Sequence, residues 1–168
     1  MQFDHQYYPG IVADIVGAHA RHYAQAWSFG MKFEVKVAAD LAGFLLNMNR
    51  DRDLLLVAKR TDERFLGSIA IDGVDHGDRG AHLRWFIVAP EAQRTGLGKQ
   101  LLDRALGFCR ERDYRRIYLY TFAGLDSARR LYEQAGFKLG EEQDANTWGR
   151  PMREQRFDLE LPPLTSGN

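Results

Sequence analysis

The stretch "VAPEAQRTGLGKQLL", residues 88 to 102, begins as the end of a β-branched strand and finishes as an amphipathic helix. Gly96 and Gly98 lie where the helix begins, and Arg94 and Lys99 flank them. The first turn of a helix presents unsatisfied N–H groups and a partial positive charge, and glycines let a ligand approach the backbone closely. The stretch therefore predicts a strand, a tight turn and a helix, in which the turn either only connects the two elements or also holds an anion.

The residues on either side of this stretch predict a mixed α/β domain. Apolar residues at helical spacing predict helices over residues 11–27 and 33–48. Two strand-like runs, at 53–60 and 64–73, are separated only by "TDE" and suggest an antiparallel hairpin. The strand–helix–strand unit from residue 83 to residue 120 requires a parallel pair and a right-handed crossover. The full predicted order is a strand, two helices, three strands, a helix, a strand, a helix and two strands.

The length of the chain indicates the number of domains, and its charge limits the classes of binding partner. The chain has 168 residues, which fits one domain over residues 1–161 with a tail at 162–168 that we expect to be disordered. It carries 23 basic and 23 acidic side chains, so its formal net charge of zero gives no support for nucleic-acid or membrane binding. We see no secretory signal and no apolar run long enough to span a membrane, and we therefore predict a cytoplasmic protein.

The cysteine and histidine content predicts no metal site. Cys109 is the single cysteine, which excludes an intramolecular disulfide and a cysteine-rich zinc site. It falls in the apolar stripe of the helix that follows Gly96, so we interpret it as a small core residue. Of the five histidines, His19 and His22 are three residues apart on a predicted helix, but no carboxylate or cysteine completes a metal-binding set.

Three phosphate-binding patterns compete for the glycine turn. A Walker loop requires Ser or Thr after the Gly-Lys pair, whereas Lys99 is followed by Gln100. A dinucleotide fingerprint requires a third glycine, which "GLGKQL" lacks, and a parallel sheet, whereas the preceding strands look antiparallel. The third pattern is the Gln/Arg-x-x-Gly-x-Gly loop of acyl-CoA-dependent acetyltransferases, and "QRTGLG" (93–98) matches it fully.

The chain resembles the GNAT superfamily of N-acetyltransferases in three segments that occur in the family's order. These are "RWFIVAPEAQRTGLGKQLL", "RIYLYT" and "SARRLYEQAGF", the last carrying the family's signature at Ala128, Tyr132, Gly136 and Phe137. The resemblance extends over about residues 54–161 and is most specific to the acetyltransferase half of fusions with MarR-type regulators. It implies a mixed, centrally splayed β-sheet of about seven strands flanked by about four helices.

The same resemblance implies a donor site for acetyl-CoA as co-substrate. Main-chain groups of Ile87 and Val88 are expected to pair with the pantetheine arm. Tyr132 is expected to face the sulfur and to protonate the departing thiolate as general acid. The remaining residues expected to contact the cofactor are Gln93, Arg94, Thr95, Gly96, Leu97, Gly98, Lys99 and Ser127.

The sequence departs from the family pattern at two positions. Many members carry an asparagine that contacts the cofactor three residues before the signature alanine. This chain has Leu125 there, so the contact is either lost or made instead by Asp126 or Ser127. Many also carry a glutamate on the strand before the glycine turn, and "HLRWF" (82–86) has none. An amine with a pKa of about 10.4 is mostly protonated at neutral pH, so its proton must leave by another route.

Several residues are candidates for the acceptor side, and the general base is left open among them. Glu34, His82 and Asp72 are the candidate bases, Glu34 being preferred because the first two helices form the acceptor wall in the family, and a water chain or buffer is the alternative. Trp85 and Tyr120 complete the candidate acceptor-site residues. An aromatic set is also expected around this side: Tyr7, Tyr8, Tyr23, Trp27, Trp85 and Trp148.

These observations predict an acyltransferase that moves an acetyl group from acetyl-CoA to an amine by direct transfer in a ternary complex. The acceptor is a small-molecule or peptide amine, and its identity is not readable from the residues. The competing hypothesis is a non-catalytic acyl-CoA-binding sensor, which the missing strand glutamate and the regulator-fusion resemblance both favour. Nucleic-acid and membrane partners are not expected, and a homodimer is one option for the oligomeric state.

Overall fold

The computed structural model describes residues 1–146 and 148–164. Its elements are β1 (Gln2–Asp4), α1 (Ile11–Trp27), α2 (Met31–Asn47), β2 (Leu54–Lys59), β3 (Phe65–Asp72), β4 (Ala81–Val88), a 3₁₀ turn (Pro90–Ala92), α3 (Leu97–Glu111), β5 (Arg116–Phe122), α4 (Asp126–Gln134), β6 (Lys138–Ala145) and β7 (Met152–Glu160). The predicted order is confirmed, and α1, β4 and β5 have the predicted bounds.

The strands form one sheet that divides where its only parallel pair lies. Across the described residues the sheet has seven strands in the order β1-β2-β3-β4-β5-β7-β6, all antiparallel except β4 and β5. In the same part of the chain β4 pairs with β5 only through Ala81 with Ile117 and His82 with Tyr118. Beyond His82 the two strands separate, so the predicted splayed mixed sheet is confirmed.

Helices cover the two faces of the sheet and form two cores. The core on the α3–α4 face packs the apolar stripe of α3, including Leu101 and Leu102, against β2, β3 and β5 and against Phe157 of β7. The core on the α1–α2 face packs Ile15 and Leu41 against the opposite sides of β2–β5. The gap between β4 and β5 therefore opens between two separately packed layers.

A β-bulge in β4 lies beside the gap. Ser68 pairs with Ile87 and Ala70 pairs with Arg84, so Ile69 between them lies opposite two residues of β4, Trp85 and Phe86. Trp85 has a φ of +44°, in the left-handed region that a tryptophan rarely adopts. The Ser68 hydroxyl donates a 2.7 Å hydrogen bond to the Trp85 carbonyl, which satisfies a buried backbone group at this distortion.

Two local predictions differ from the structure, and part of a third lies outside it. The segment "FDHQYY" (3–8) predicts a short edge strand, but the strand ends at Asp4, because the Asp4 carboxylate accepts the N–H of Gln6 in a turn. Helical spacing in residues 11–27 predicts that Ile11, Ile15, Ala18, His22 and Ala26 share one face, whereas the buried residues of α1 are Ile11, Ile15, Val16 and His19. Residues 165–168 of the predicted tail lie outside the described residues, and Leu164 donates its N–H to Asp113.

We expect the Ser68→Ala variant to be about 1 kcal/mol less stable than the wild type, because the buried Trp85 carbonyl loses its 2.7 Å donor. Urea unfolding monitored by tryptophan fluorescence measures the change. Thr61→Ala is the matched control, since Thr61 is exposed in the turn between the same hairpin's strands β2 and β3. Equal unfolding midpoints for the two variants would contradict this role for Ser68.

Candidate functional site

The turn between β4 and α3 presents a row of backbone donors without partners. Arg94 has a φ of +62° and Gly96 a φ of +84°, so the chain curls as it enters α3. Among the described residues, no backbone or side-chain acceptor takes the N–H groups from Arg94 through Lys99. A concave row of N–H groups at a helix N-terminus is a binding site for phosphate.

Side chains of the turn hold this shape. The Gln93 amide donates to the Val88 carbonyl over 3.3 Å, and the Thr95 hydroxyl donates to the Ala92 carbonyl over 2.7 Å. Lys99 is exposed and paired with Asp103 at 2.6 Å. Because Gln93 and Thr95 are used within the turn, the backbone amides are the groups left available to an anion, and the basic side chains add positive charge at the rim.

The separated edge of β4 continues the row of free backbone groups. Ile87 and Val88 face β3 on one side, where they pair with Ser68 and Gly67, and face the gap on the other. A Cβ added at Gly98 would meet Val88 at 3.6 Å and Leu131 at 3.4 Å, so α3, α4 and β4 converge there. The structure thus brings the predicted cofactor residues from 87 to 99 together along one wall of the gap.

Tyr132 lies on α4 against the open end of β4. Its ring centroid is 6.0 Å from Phe86, 5.9 Å from Phe137 and 6.3 Å from Phe157. Its hydroxyl makes no hydrogen bond with the described residues. Burial, and then the nearby Tyr23, raises the pKa of Tyr132, so the phenol carries its proton at neutral pH.

A polar aromatic group lies on the α1–α2 face where β4 and β5 diverge. The His82 ring stacks on Tyr118 at 4.5 Å and meets the edge of Tyr120 at 5.7 Å. Burial, followed by the positive charges of nearby arginines, lowers the pKa of His82 to about 3. His82 is therefore a neutral imidazole at physiological pH, and Tyr120 is 39% exposed beside it.

The other candidate bases are placed differently. Glu34 is exposed on α2 and has no ion pair in the described part of the chain. Asp72 pairs with Arg84 at 3.4 Å, and Arg84 also approaches Asp40 of α2 at 3.5 Å. The α2 carboxylate that reaches the sheet beside His82 is therefore Asp40, which the sequence reasoning missed. Its four-residue spacing from Lys36, with which it pairs at 2.8 Å, was the available signal.

Trp85 and Leu125, which the sequence analysis singled out, both pack against the core on the α1–α2 face. The Trp85 ring packs on Phe44 at 5.1 Å and lies 4.2 Å from the Arg84 guanidinium, so it belongs to the α1–α2 core. Leu125 precedes α4 and also packs against that core, whereas Ser127 is exposed in the first turn of α4. In this part of the site only Ser127 remains available to a ligand as a side-chain donor.

The described residues contain no group of three or more His, Cys, Asp or Glu side chains arranged to hold a metal ion. None of their helices is long and apolar enough to cross a membrane.

The sequence profile of the Acetyltransferase (GNAT) family matches residues 18–137. The chain belongs to this family. That range includes the C-terminal part of α1, all of α2, the glycine turn and Tyr132, so residues of both walls of the gap lie within the family match. Membership confirms the predicted enzyme class, an acetyltransferase, and the predicted family fold.

Individual relatives agree with this assignment. The chain is 36% identical over 98 residues to the mycothiol acetyltransferase of Cellulomonas flavigena, a match that covers 58% of this chain and 27% of that protein. It spans about a quarter of the length of that relative.

Solved structures share the fold. The ribosomal-protein-alanine N-acetyltransferase of Brucella melitensis superposes with a TM-score of 0.72 at 21% identity, covering 96% of this chain and 100% of that one. The spermidine N-acetyltransferase of Vibrio cholerae, solved with CoA and spermine, gives 0.71 at 20% identity, covering 95% and 94%.

We expect the Gly96→Ala variant to bind CoA about fivefold to tenfold more weakly than the wild type. Gly96 has a φ of +84°, which strains any residue with a Cβ. In the alanine variant the turn must therefore rearrange, and its backbone amides lose their alignment. Isothermal titration calorimetry with CoA measures the change.

Gly107→Ala in the same helix is the control, because its Cβ meets open space and its φ is not positive. We expect it to leave CoA affinity unchanged and to raise stability by about 0.5–1 kcal/mol. Equal affinities for the two variants would mean that the geometry at Gly96 does not matter for binding.

Proposed function

We propose that the protein transfers an acetyl group from acetyl-CoA to an amine by direct transfer in a ternary complex. The observation that carries this proposal is the row of unpartnered N–H groups from Arg94 through Lys99, which continues into the open edge of β4. Such a row fits a diphosphate followed by an extended amide-containing chain, which is the chemistry of CoA. Acetyl-CoA supplies the activated acetyl thioester at this site.

The wall formed by β4 and the glycine turn, here called the donor wall, binds different parts of CoA through different residues. The amides of Arg94, Thr95, Gly96, Leu97, Gly98 and Lys99 hold the diphosphate, with Gln93 bracing the turn. Main-chain groups of Ile87 and Val88 pair with the extended arm as a neighbouring strand would. Ser127, exposed at the start of α4, contributes a hydroxyl at the other side of the gap.

Catalysis combines positioning with a proton from Tyr132. The amine attacks the thioester carbonyl, a backbone N–H of β4 polarises that carbonyl, and the C–S bond breaks. The Tyr132 hydroxyl donates its proton to the departing sulfur, which leaves as the thiol. The nitrogen, positively charged after the attack, releases a proton that returns to the Tyr132 phenolate through water, so the phenol is restored. The raised pKa of Tyr132 keeps that proton in place until charge develops on sulfur.

The acceptor side is the α1–α2 face of the gap, with His82 and Tyr120 at its closed end. A neutral His82, whose pKa lies at about 3, is too weak a base to take a proton from an ammonium group with a pKa of about 10.4. We therefore propose that the amine reaches the site as its free base after losing a proton to water. Glu34, exposed on α2, and Trp85, packed in the core, have no direct part in this scheme.

Acceptors are small-molecule or peptide amines. The named relatives act on spermidine, on a ribosomal-protein alanine and in mycothiol acetylation, so a screen that follows CoA release should contain polyamines, amino-terminal peptides and amino sugars. We propose a cytoplasmic single domain over residues 1–161, without a nucleic-acid or membrane partner. Its zero net charge supports this part of the proposal, and light scattering distinguishes a monomer from a homodimer.

The finer family relationship is also a proposal. The similarity of residues 83–137 and 148–161 to the acetyltransferase half of regulator fusions supports a relationship with that subgroup. An acceptor shared with a fusion protein of that type in the same screen would strengthen it.

We expect the Tyr132→Phe variant to lower kcat about 10²-fold, because the departing thiolate loses its proton donor. A thiol reagent that reports free CoA follows the reaction with the best amine of the screen. The ring contacts are kept, so the Kd for acetyl-CoA should change little.

An unchanged kcat in Tyr132→Phe would reject the general-acid role. If the wild type binds acetyl-CoA but releases no CoA with any amine, the domain is an acyl-CoA sensor rather than an enzyme. The two results are distinguishable, because the second is read from the wild type alone.

We expect kcat/KM to rise about tenfold per pH unit between pH 7 and pH 9, since the free-amine fraction increases tenfold per unit below the amine pKa. His82, with a pKa of about 3, is neutral throughout this range and adds no inflection near pH 6.5. The profile is measured for the wild type and for His82→Gln. An inflection between pH 5 and pH 7 that disappears in His82→Gln would contradict the free-amine scheme and make His82 the base.

A further inference from the structure

Two phenols lie beside the open ends of the separated strands, one from each layer. On the α3–α4 face, the Tyr132 ring is 6.0 Å from Phe86, just past the bulge of β4. On the α1–α2 face, the Tyr23 ring is 6.1 Å from Phe122, the last residue of β5. The two rings therefore flank the same gap from opposite sides of the sheet.

The Tyr23 ring is fixed by aromatic neighbours. It is stacked on Phe29 at 5.8 Å, tilted against Phe33 at 4.9 Å and edge-on to Phe122. Aromatic contacts on several sides restrict the ring to one orientation. The direction of its hydroxyl is consequently set by α1 and by the turn between α1 and α2.

The Tyr23 hydroxyl has no role within the described part of the chain. It makes no hydrogen bond there, whereas Tyr8 donates to Asp14 and Tyr114 donates to the Arg52 carbonyl. Burial raises the pKa of Tyr23 to about 12, so it is a neutral phenol.

We propose that Tyr23 is a positioning residue that hydrogen-bonds the acceptor amine and directs its lone pair toward the acetyl carbonyl. This inference rests on the proposed N-acetyltransferase function and assigns a residue on its acceptor side. A phenol oxygen accepts an N–H of the amine and leaves the nitrogen lone pair free. Tyr132 meets the sulfur from one face of the gap, and Tyr23 meets the nitrogen from the other.

The kinetic test is Tyr23→Phe, which removes one oxygen and keeps the ring contacts. We expect KM for the acceptor amine to rise about threefold to tenfold, the effect of one hydrogen bond. KM for acetyl-CoA and the pH profile should stay unchanged, because Tyr23 transfers no proton. Tyr114→Phe is the control, since it removes a buried hydroxyl near the opposite end of the sheet. An acceptor KM equal to that of the wild type overturns the proposal.

A spectroscopic test does not depend on turnover. In protein labelled with ¹³C at the tyrosine Cζ and saturated with CoA, addition of the best amine of the screen should shift the signal of Tyr23 but not that of Tyr114, with assignments made from the phenylalanine variants. An unmoved Tyr23 signal rejects the positioning role even when the wild type is active. Absence of turnover with every amine rejects the proposed function instead, so the two failures are distinguishable.

Discussion

The structure depends on how few residues join β4 to β5. Two pairs of residues hold the only parallel contact in the described sheet, and the strands separate immediately afterwards. A sheet that opens in its interior leaves backbone N–H and C=O groups that native proteins rarely leave unsatisfied. The two cores, one on each face, keep the gap from closing, because each layer is packed to its own side of the strands. In the proposed function, a ligand with backbone-like hydrogen-bonding groups completes the sheet.

The two sides of the gap have different chemistry, and in the proposed function this difference separates the donor wall from the acceptor wall. The donor wall consists of main-chain groups whose arrangement is set by Arg94 and Gly96 in left-handed conformations. The acceptor wall consists of side chains, among which His82 and Tyr120 mark the closed end and Tyr23 the open end. Recognition by main-chain groups constrains only the few positions that set the backbone conformation. A short glycine motif is therefore enough to predict the donor loop. The acceptor wall has no comparable motif.

The sequence predicted those features that depend on local periodicity and failed for those that depend on packing. The bounds of α1, β4 and β5 followed from helical spacing and β-branched runs, and "QRTGLG" predicted the tight turn that leads into α3. The bulge at Trp85 was not predictable, because its φ of +44° is imposed by neighbouring strands rather than by the residue. Asp40 is absent from the candidate bases Glu34, His82 and Asp72, because the pattern of α2 does not show which of its polar side chains turns toward Arg84. The lowered pKa of His82 depends on burial and on arginines from separate segments, which no short stretch reveals.

The bulge in β4 has a consequence for how such a site arises. Arg84 and Trp85 both lie on the α1–α2 face. If one of them were absent, the side chains of β4 would alternate regularly between the two faces, and Phe86 and Val88 would stay on the α3–α4 face. A β-bulge bends its strand and increases its twist. The extra residue therefore redirects the end of β4 next to the gap, while the side chains that follow it keep the faces that a regular strand would give them.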